Sequence, residues 1–105
     1  MTTMKDREHA FEAKFAHDEE MMFKAEARRN KLLGHWAAEL LGKTGSEISD
    51  YAKEVIKADF AEPGDADVLR KVVDDLGGRA SEEEVRAKMN EFLAIAKGQI
   101  LDETS

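Results

Sequence analysis

Residues 6–42 read DREHAFEAKFAHDEEMMFKAEARRNKLLGHWAAELLG, with no proline and a single internal glycine, Gly34. Residue types that favour helices dominate this stretch. Its second half repeats apolar side chains at the i, i+3, i+4, i+7 spacing of an amphipathic helix: Leu33, Trp36, Ala37, Leu40 and Leu41. The stretch therefore predicts one long helix that ends at Gly42, with Trp36 as the largest side chain of the core and Gly34 at a close approach to another helix.

The length of this first helix predicts that only its second half is buried. About 37 helical residues at ~1.5 Å each span roughly 55 Å, whereas a compact domain of this size is only about 35 Å across. Apolar residues are sparse near the start, where Phe11 and Phe15 stand one turn apart among charges of both signs. We therefore expect residues 1–19 to form a mobile arm and residues 20–105 to form a helical body.

Three further segments with helical spacing of apolar residues follow, separated by turns that contain glycine or proline. They extend to about residues 61, 76 and 101. Short connections make consecutive helices antiparallel. The predicted fold class is therefore all-α: an up-down four-helix bundle, irregular because the third helix is short, with a long first helix and a mobile N-terminal arm.

Polar residues with capping chemistry stand where these helices begin. Thr44 and Glu47 have the spacing of a capping box, and Ser46 offers a simple N-cap as an alternative. Asp65 precedes the third helix as its predicted cap. A second capping box, Ser81 to Glu84, precedes the fourth helix, which is predicted to begin at residue 82.

Composition excludes several classes of protein. The chain has no cysteine, no apolar run as long as a membrane span and no apolar core of a signal peptide at its start. We therefore expect a cytoplasmic protein without direct membrane insertion. Residues 1–31 carry equal numbers of basic and acidic side chains, so the net charge of −7 lies on the rest of the chain. This acidic body argues against a nucleic-acid partner.

Catalytic and metal sites are not indicated by the residue pattern. His9, His17 and His35 lack the i, i+3 or i+4 spacing of a metal pair on a helix. Cysteine nucleophiles are absent, and the serines stand at caps, in a first turn or at the C-terminal end. The sequence therefore predicts no metal site and no enzyme activity.

Two features of the first helix are candidates for binding. Lys24, Arg28, Lys31 and His35 follow one another at helical spacing, which is typical either of a contact for a phosphate group or acidic partner, or of a solvated surface. The second interpretation is favoured. The paired rings of Phe11 and Phe15 indicate either anchors for a groove on another protein or rings that the arm buries by folding back.

Several segments resemble the α-proteobacterial zeta subunit family, small inhibitors of the F-type ATP synthase. They are DRE (6–8), AFEAKFAHDEE (10–20), FKAEARRNKLLG (23–34), WAAELLG (36–42), YAKEV (51–55) and, interrupted at residues 61 and 66, ADF–EPGD–DVLRK (58–71). The resemblance covers nearly the whole chain. It implies a four-helix fold whose N-terminal arm inserts between an α and a β subunit of the catalytic head, near the γ subunit, and blocks ATP hydrolysis.

The resemblance also implies which residues meet a partner. In the arm these are Arg7, Phe11, Lys14, Phe15 and His17. Some members of the family bind adenine nucleotides, so weak nucleotide contact is expected at Lys24, Arg28 and Lys31, and no other cofactor is expected. The free protein is predicted to be a monomer, peripheral at the inner membrane through the ATP synthase. Two alternatives are a regulatory module that senses adenine nucleotides and a helical adaptor.

Overall fold

The computed structural model of the protein describes residues 19–59 and 65–104. These residues form four α-helices: α1 (Glu19–Leu40), α2 (Ser46–Ala58), α3 (Ala66–Leu76) and α4 (Glu82–Thr104). No strand occurs in the described ranges. The start of α1 lies against the end of α4, since Met21 clusters with Ile100 and Arg28 bonds Glu103. The predicted all-α fold with up-down helices is confirmed.

Glycine ends α1 as the sequence predicted. Gly42 has a φ of 77°, in the left-handed region that glycine enters without steric cost. The Lys43 N–H donates to the Ala38 carbonyl and the Gly42 N–H donates to the Glu39 carbonyl, both at 3.0 Å. This pair of bonds is the Schellman motif, which satisfies carbonyls at the end of a helix.

Of the side-chain caps predicted for the starts of α2, α3 and α4, only that of α4 is present. The Ser81 hydroxyl accepts from the Glu84 N–H at 3.1 Å, and the Glu84 carboxylate accepts from the Ser81 N–H at 3.4 Å, so the second capping box is confirmed. Asp65 holds the N-cap position of α3, but its side chain makes no cap bond. Its carboxylate is 3.0 Å from Arg29 instead.

The predicted cap of α2 is wrong in both of its forms. Gly45, with φ 59° and ψ −133°, occupies the N-cap position, and no side chain caps the helix. The Glu47 N–H bonds the backbone carbonyl of Thr44 at 3.2 Å. The left-handed backbone at Gly45 turns the chain so that Thr44 lies one residue too early and Ser46 one residue too late to cap.

Buried apolar side chains form two clusters. The central cluster joins all four helices and the turn before α4: Leu33, Ala37, Ala38, Tyr51, Val55, Val68, Val72, Leu76, Ala80, Val85 and Met89. The distal cluster consists of Met21, Ala25 and Ile100, with Met22, Leu93 and Leu101 packed against it. The cluster residues of α2, α3 and α4 belong to the segments whose apolar spacing predicted these helices, so the amphipathic pattern identified their buried faces.

Helices α1 and α2 make the close contact that Gly34 predicted. A Cβ atom added at Gly34 would lie 2.6 Å from the Ala52 Cα, closer than real Cβ atoms come to a backbone atom. Small residues surround the contact, since Ala37 and Ala38 of α1 are fully buried. The two backbones therefore approach at a separation that only glycine allows at this position.

Trp36 corrects the predicted core. The side chain is partly buried and packs against the central cluster without being a member of it. Leu33, Leu76 and Val55 are among the largest fully buried side chains instead. Trp36 stands about 200° around α1 from Gly34, whose face meets α2, so the ring lies at the edge of the core.

The predicted N-terminal arm lies almost entirely outside the described residues, which begin at Glu19. The last residues of the predicted second helix, from Phe60 to about residue 61, also lie outside them.

Candidate functional site

The start of α1 is the part of the structure nearest to the predicted arm. Arg7, Phe11, Lys14, Phe15 and His17 lie outside the described residues.

The helix that follows them is fixed to the body from its third residue. Met21 is 7% exposed and packs with Ala25 and Ile100 in the distal cluster. Glu19 and Glu20, the first two described residues of α1, are exposed. Phe23 is 55% exposed. Residues 1–18 are thus joined to a helix whose start is held by apolar contacts with the end of α4.

The basic residues of α1 are less available than their spacing suggests. Arg28 donates from Nη1 to Glu103 Oε1 at 2.8 Å and from Nη2 to Glu103 Oε2 at 3.1 Å. A third bond from Nη1 reaches Gln99 Oε1 at 3.0 Å. The hydrogen bond from Arg28 holds the pKa of the Glu103 carboxyl below its usual range. Arg28 therefore joins α1 to α4.

The other members of this row face solvent to different degrees. Lys24 Nζ is 3.5 Å from Glu20 Oε1 in an exposed pair of the i, i+4 type. Such a pair contributes little to stability. Lys31 is exposed and His35 is partly buried. A nucleotide or acidic partner contact at Lys24, Arg28 and Lys31 stays a prediction, and Arg28 must leave Glu103 to take part in it.

Arg29 is the residue that sequence reasoning missed. It is 1% exposed although it carries a full charge. Its Nε donates to Asn30 Oδ1 at 3.0 Å, its Nη1 lies 3.0 Å from Asp65 Oδ1, and its Nη2 lies 3.9 Å from Asp59 Oδ1. One guanidinium on α1 thus pairs with residues on both sides of the connection between α2 and α3.

The signal for this burial was present in the sequence. Arg29 stands four residues after Ala25 and four before Leu33, which are both fully buried. At that spacing the three residues share one face of a helix. A charge on a buried face requires an opposite charge nearby, and Asp59 and Asp65 flank the Glu62-Pro63-Gly64 turn signal.

The hydrogen bonding of Arg29 and Asn30 is incomplete within the described part of the chain. Arg29 Nη2 and Asn30 Nδ2 are buried and have no hydrogen-bond partner there. A buried donor left unpaired costs about 1–3 kcal/mol. Burial also raises the pKa of the nearby Glu26 carboxyl, with further upward contributions from Asp59 and Asp65 that Arg29 opposes. We call Glu26, Arg29, Asn30, Asp59 and Asp65 the Arg29 cluster.

A second polar contact joins α2 to α3. The Tyr51 hydroxyl donates to Asp75 Oδ2 at 2.9 Å, and Lys71 Nζ donates to the same oxygen at 2.9 Å. Tyr51 is 4% exposed, and burial together with the Asp75 carboxylate raises the pKa of its hydroxyl. Lys71 also lies over the Tyr51 ring, 5.3 Å from its centroid. The phenol is held in its neutral form as a structural donor.

Within residues 19–59 and 65–104, no group of three or more His, Cys, Asp or Glu side chains is placed to hold a metal ion. None of the four helices combines the length and the apolar character needed to cross a membrane.

Comparisons with known proteins identify a family and a solved structure of similar sequence and fold. A family model described as ATPase inhibitor subunit zeta matches residues 1–99. A structure determined by solution NMR is 60% identical in sequence, with a TM-score of 0.74, and the match covers 79% of this chain and 98% of that chain. No curated protein matches. The family match begins at residue 1 and therefore includes the predicted arm residues.

Proposed function

The chain belongs to the ATPase inhibitor subunit zeta family, and from this membership we propose that it inhibits ATP hydrolysis by the F-type ATP synthase by inserting its N-terminal arm into the catalytic head. The arm, residues 1–19, enters between an α and a β subunit near γ and is helical when bound. The helical body stays outside. The protein acts as a monomer at the inner membrane through this complex, without inserting into the lipid.

The observation that carries this proposal is the extent of the family match, which runs from residue 1. An inhibitor family whose shared sequence includes the arm supports a role for the arm in inhibition. Phe11 and Phe15 are one turn apart at helical spacing, as expected of anchors that enter a hydrophobic groove. Arg7, Lys14 and His17 supply positive charge beside them for carboxylates at the edge of the groove.

The anchored start of α1 gives the arm a mechanical role. Because Met21 packs with Ala25 and Ile100, the helix is held against the body immediately after the arm. A bound arm would therefore place the whole body at the mouth of the α/β groove. Rotation of the central subunit during hydrolysis then meets a wedge larger than the arm itself. Part of the contact energy is spent on ordering the arm, so inhibition should be reversible.

The experiment is ATP hydrolysis by a purified α-proteobacterial F-type ATPase with the full chain and with a variant that lacks residues 1–19. The proposal expects inhibition by the full chain and none by the shortened variant. Circular dichroism and thermal unfolding must show that the shortened variant keeps the helical body. Equal inhibition by both proteins would place the active surface on the body, and inhibition by neither would contradict the proposal.

A peptide of residues 1–19 completes this test. If the arm carries the contact, excess peptide should compete with the full chain for the ATPase. If the body is also needed as a wedge, the peptide should compete for binding while inhibiting hydrolysis less than the full chain does. A peptide that neither binds nor competes would argue against the arm as the contact element.

A further inference from the structure

A cleft of about 590 Å³ opens between α3 and α4. This volume lies within the ~300–1,000 Å³ of typical small-molecule sites. Apolar side chains from both helices form its walls: Leu69, Val73, Met89 and Leu93. The cleft lies on the body and contains none of the residues assigned to the arm or to the basic row of α1.

Arg29 supplies a buried cation to this cleft. It is one of the lining residues although only 1% of it is exposed. Its Nη1 lies 3.0 Å from Asp65 Oδ1, and its Nη2 lies 3.9 Å from Asp59 Oδ1 but has no hydrogen-bond partner in the described part of the chain. An acceptor atom of a ligand would remove the cost of that unpaired donor. A guanidinium nitrogen is well suited to a carboxylate oxygen.

The other charges of the cleft limit what such a ligand carries. Arg70 and Arg86 line it together with Asp65, Asp74 and Glu82, so three basic and three acidic side chains balance when Arg29 is included. A multiply charged phosphate would be repelled by the three carboxylates. A monocarboxylate ligand carries one negative charge and is therefore repelled less. Its apolar part is stabilised by contact with the apolar walls of the cleft.

The two arginines at the edge are free to adjust. Arg86 pairs with Glu82 at 3.2 Å and Arg70 pairs with Asp67 at 3.3 Å, and both arginine side chains are more than 60% exposed. Exposed pairs of this kind contribute little to stability. Either arginine is therefore able to turn toward a ligand without a large loss.

We propose that this cleft binds an apolar monocarboxylate, such as a fatty or aryl carboxylic acid. The carboxylate pairs with the Arg29 guanidinium, and the apolar part lies between Leu69 and Val73 of α3 and Met89 and Leu93 of α4. This site is independent of the proposed inhibition, because its residues belong to the body. Its failure would leave the arm mechanism unaffected.

The test is a titration of the full chain with octanoate, followed by amide chemical shifts. The expected result is saturable shifts centred on Arg29, Leu69, Val73, Met89 and Leu93. Inorganic phosphate and ATP serve as comparison ligands and should not saturate the same amides. Binding of either in the cleft as tightly as octanoate would overturn the monocarboxylate assignment, and octanoate shifts centred on exposed Leu40 or Ile95 would overturn the site.

Two variants are used so that the test does not depend on the correct folding of either one alone. Val73→Phe fills the cleft and leaves Arg29 in place, so octanoate binding should weaken about tenfold or more. Arg29→Gln removes the cation and should also weaken binding, provided its spectrum shows the native fold. Lys53→Ala, an exposed change on α2 away from the cleft, is the matched control and should bind as the wild type does. Unchanged affinity in Val73→Phe would contradict the proposal.

Discussion

At the scale of single residues, Gly34 sets the distance between α1 and α2. A Cβ atom added at Gly34 would lie 2.6 Å from the Ala52 Cα. The absence of this atom lets the backbone of α2 come close to α1. Gly98 in α4 is different, since nothing lies within 4 Å of the Cβ position there. The chain therefore contains one helical glycine required by packing and one that is not.

Gly34→Ala should destabilise the protein despite the better helix propensity of alanine. Propensity gains about 1 kcal/mol, but overpacking against a backbone atom costs about 1–3 kcal/mol, so the free energy of unfolding should fall by about 1 kcal/mol. Urea unfolding measures this change. Gly98→Ala is the control and should stabilise by up to about 1 kcal/mol. Equal effects of both changes would show that the close approach is not rigid.

Glu26 is a residue whose protonation is linked to folding. Burial raises the pKa of its carboxyl in the folded state, and Asp59 and Asp65 add to the increase while Arg29 and Lys97 oppose it. Between the ordinary and the raised pKa, the folded protein binds a proton that the unfolded chain has released. Stability contributed by this group therefore falls as pH rises through that window.

Glu26→Gln should consequently raise the thermal midpoint at pH 7, because the buried charge is removed. At pH 4, where the wild-type carboxyl is largely protonated in both states, the difference should shrink. Thermal unfolding at both pH values measures it. Glu39→Gln, an exposed change on the same helix, is the control and should show a similar small difference at both pH values. A lower midpoint for Glu26→Gln at pH 7 would show that its attraction to Arg29 outweighs burial.

At the scale of elements, the helices differ in how their ends are held. The start of α4 is capped by reciprocal bonds between Ser81 and Glu84. The start of α2 relies on backbone bonds from Glu47 and Ile48 to Thr44 and Gly45, with no side-chain cap. Two sequences with the same capping spacing therefore give different local structures, because Gly45 adopts a conformation that other residues rarely adopt.

Ser81→Ala should cost about 1 kcal/mol of stability, since the N–H of Glu84 loses its acceptor. Thr44→Ala offers a matched control with the same predicted motif and no cap bond, and it should change stability by only a few tenths of a kcal/mol. Chemical denaturation of both variants checks the pair. An equal loss in Thr44→Ala would mean that its hydroxyl caps α2 in solution.

At the scale of the whole molecule, stability and the proposed inhibition are assigned to different parts of the chain. The body is held together by clusters that involve all four helices and by the polar contacts of Arg28, Arg29 and Tyr51. The proposed inhibition is assigned to residues 1–19, which join the body at the anchored start of α1. Changes in the arm should therefore alter inhibition without altering stability.

Phe11→Ala combined with Phe15→Ala should abolish inhibition of ATP hydrolysis and leave the thermal midpoint nearly unchanged. The reason is that the proposed function assigns both rings as anchors in a groove on the partner. Leu40→Ala combined with Ile95→Ala removes two exposed apolar side chains of the body, which are 41% and 42% exposed, and should retain inhibition. A large fall of the midpoint in the double phenylalanine variant would place the rings in the core instead.

The candidate site was predictable only in part. Lys24, Arg28 and Lys31 lie on α1, and their contact with a nucleotide or acidic partner stays a prediction; their spacing did not reveal that Arg28 is bonded to Glu103, 75 residues later in the chain. The burial of Arg29 was readable from its position between Ala25 and Leu33, yet its pairing with Asp59 and Asp65 was not. A side chain's spacing shows which face it occupies, whereas its partner depends on how distant elements pack.

The sequence by itself determined the number of helices, the end of α1 at Gly42, the capping box at Ser81 and the buried faces of α2, α3 and α4. These features depend on interactions within about four residues, which the local pattern contains. Only the tertiary structure decided that Trp36 lies at the edge of the core, that Arg29 is buried against Asp65, and that a cleft opens between α3 and α4. Those outcomes depend on how helices distant in the chain pack against one another, as the contact of Gly34 with Ala52 shows for α1 and α2.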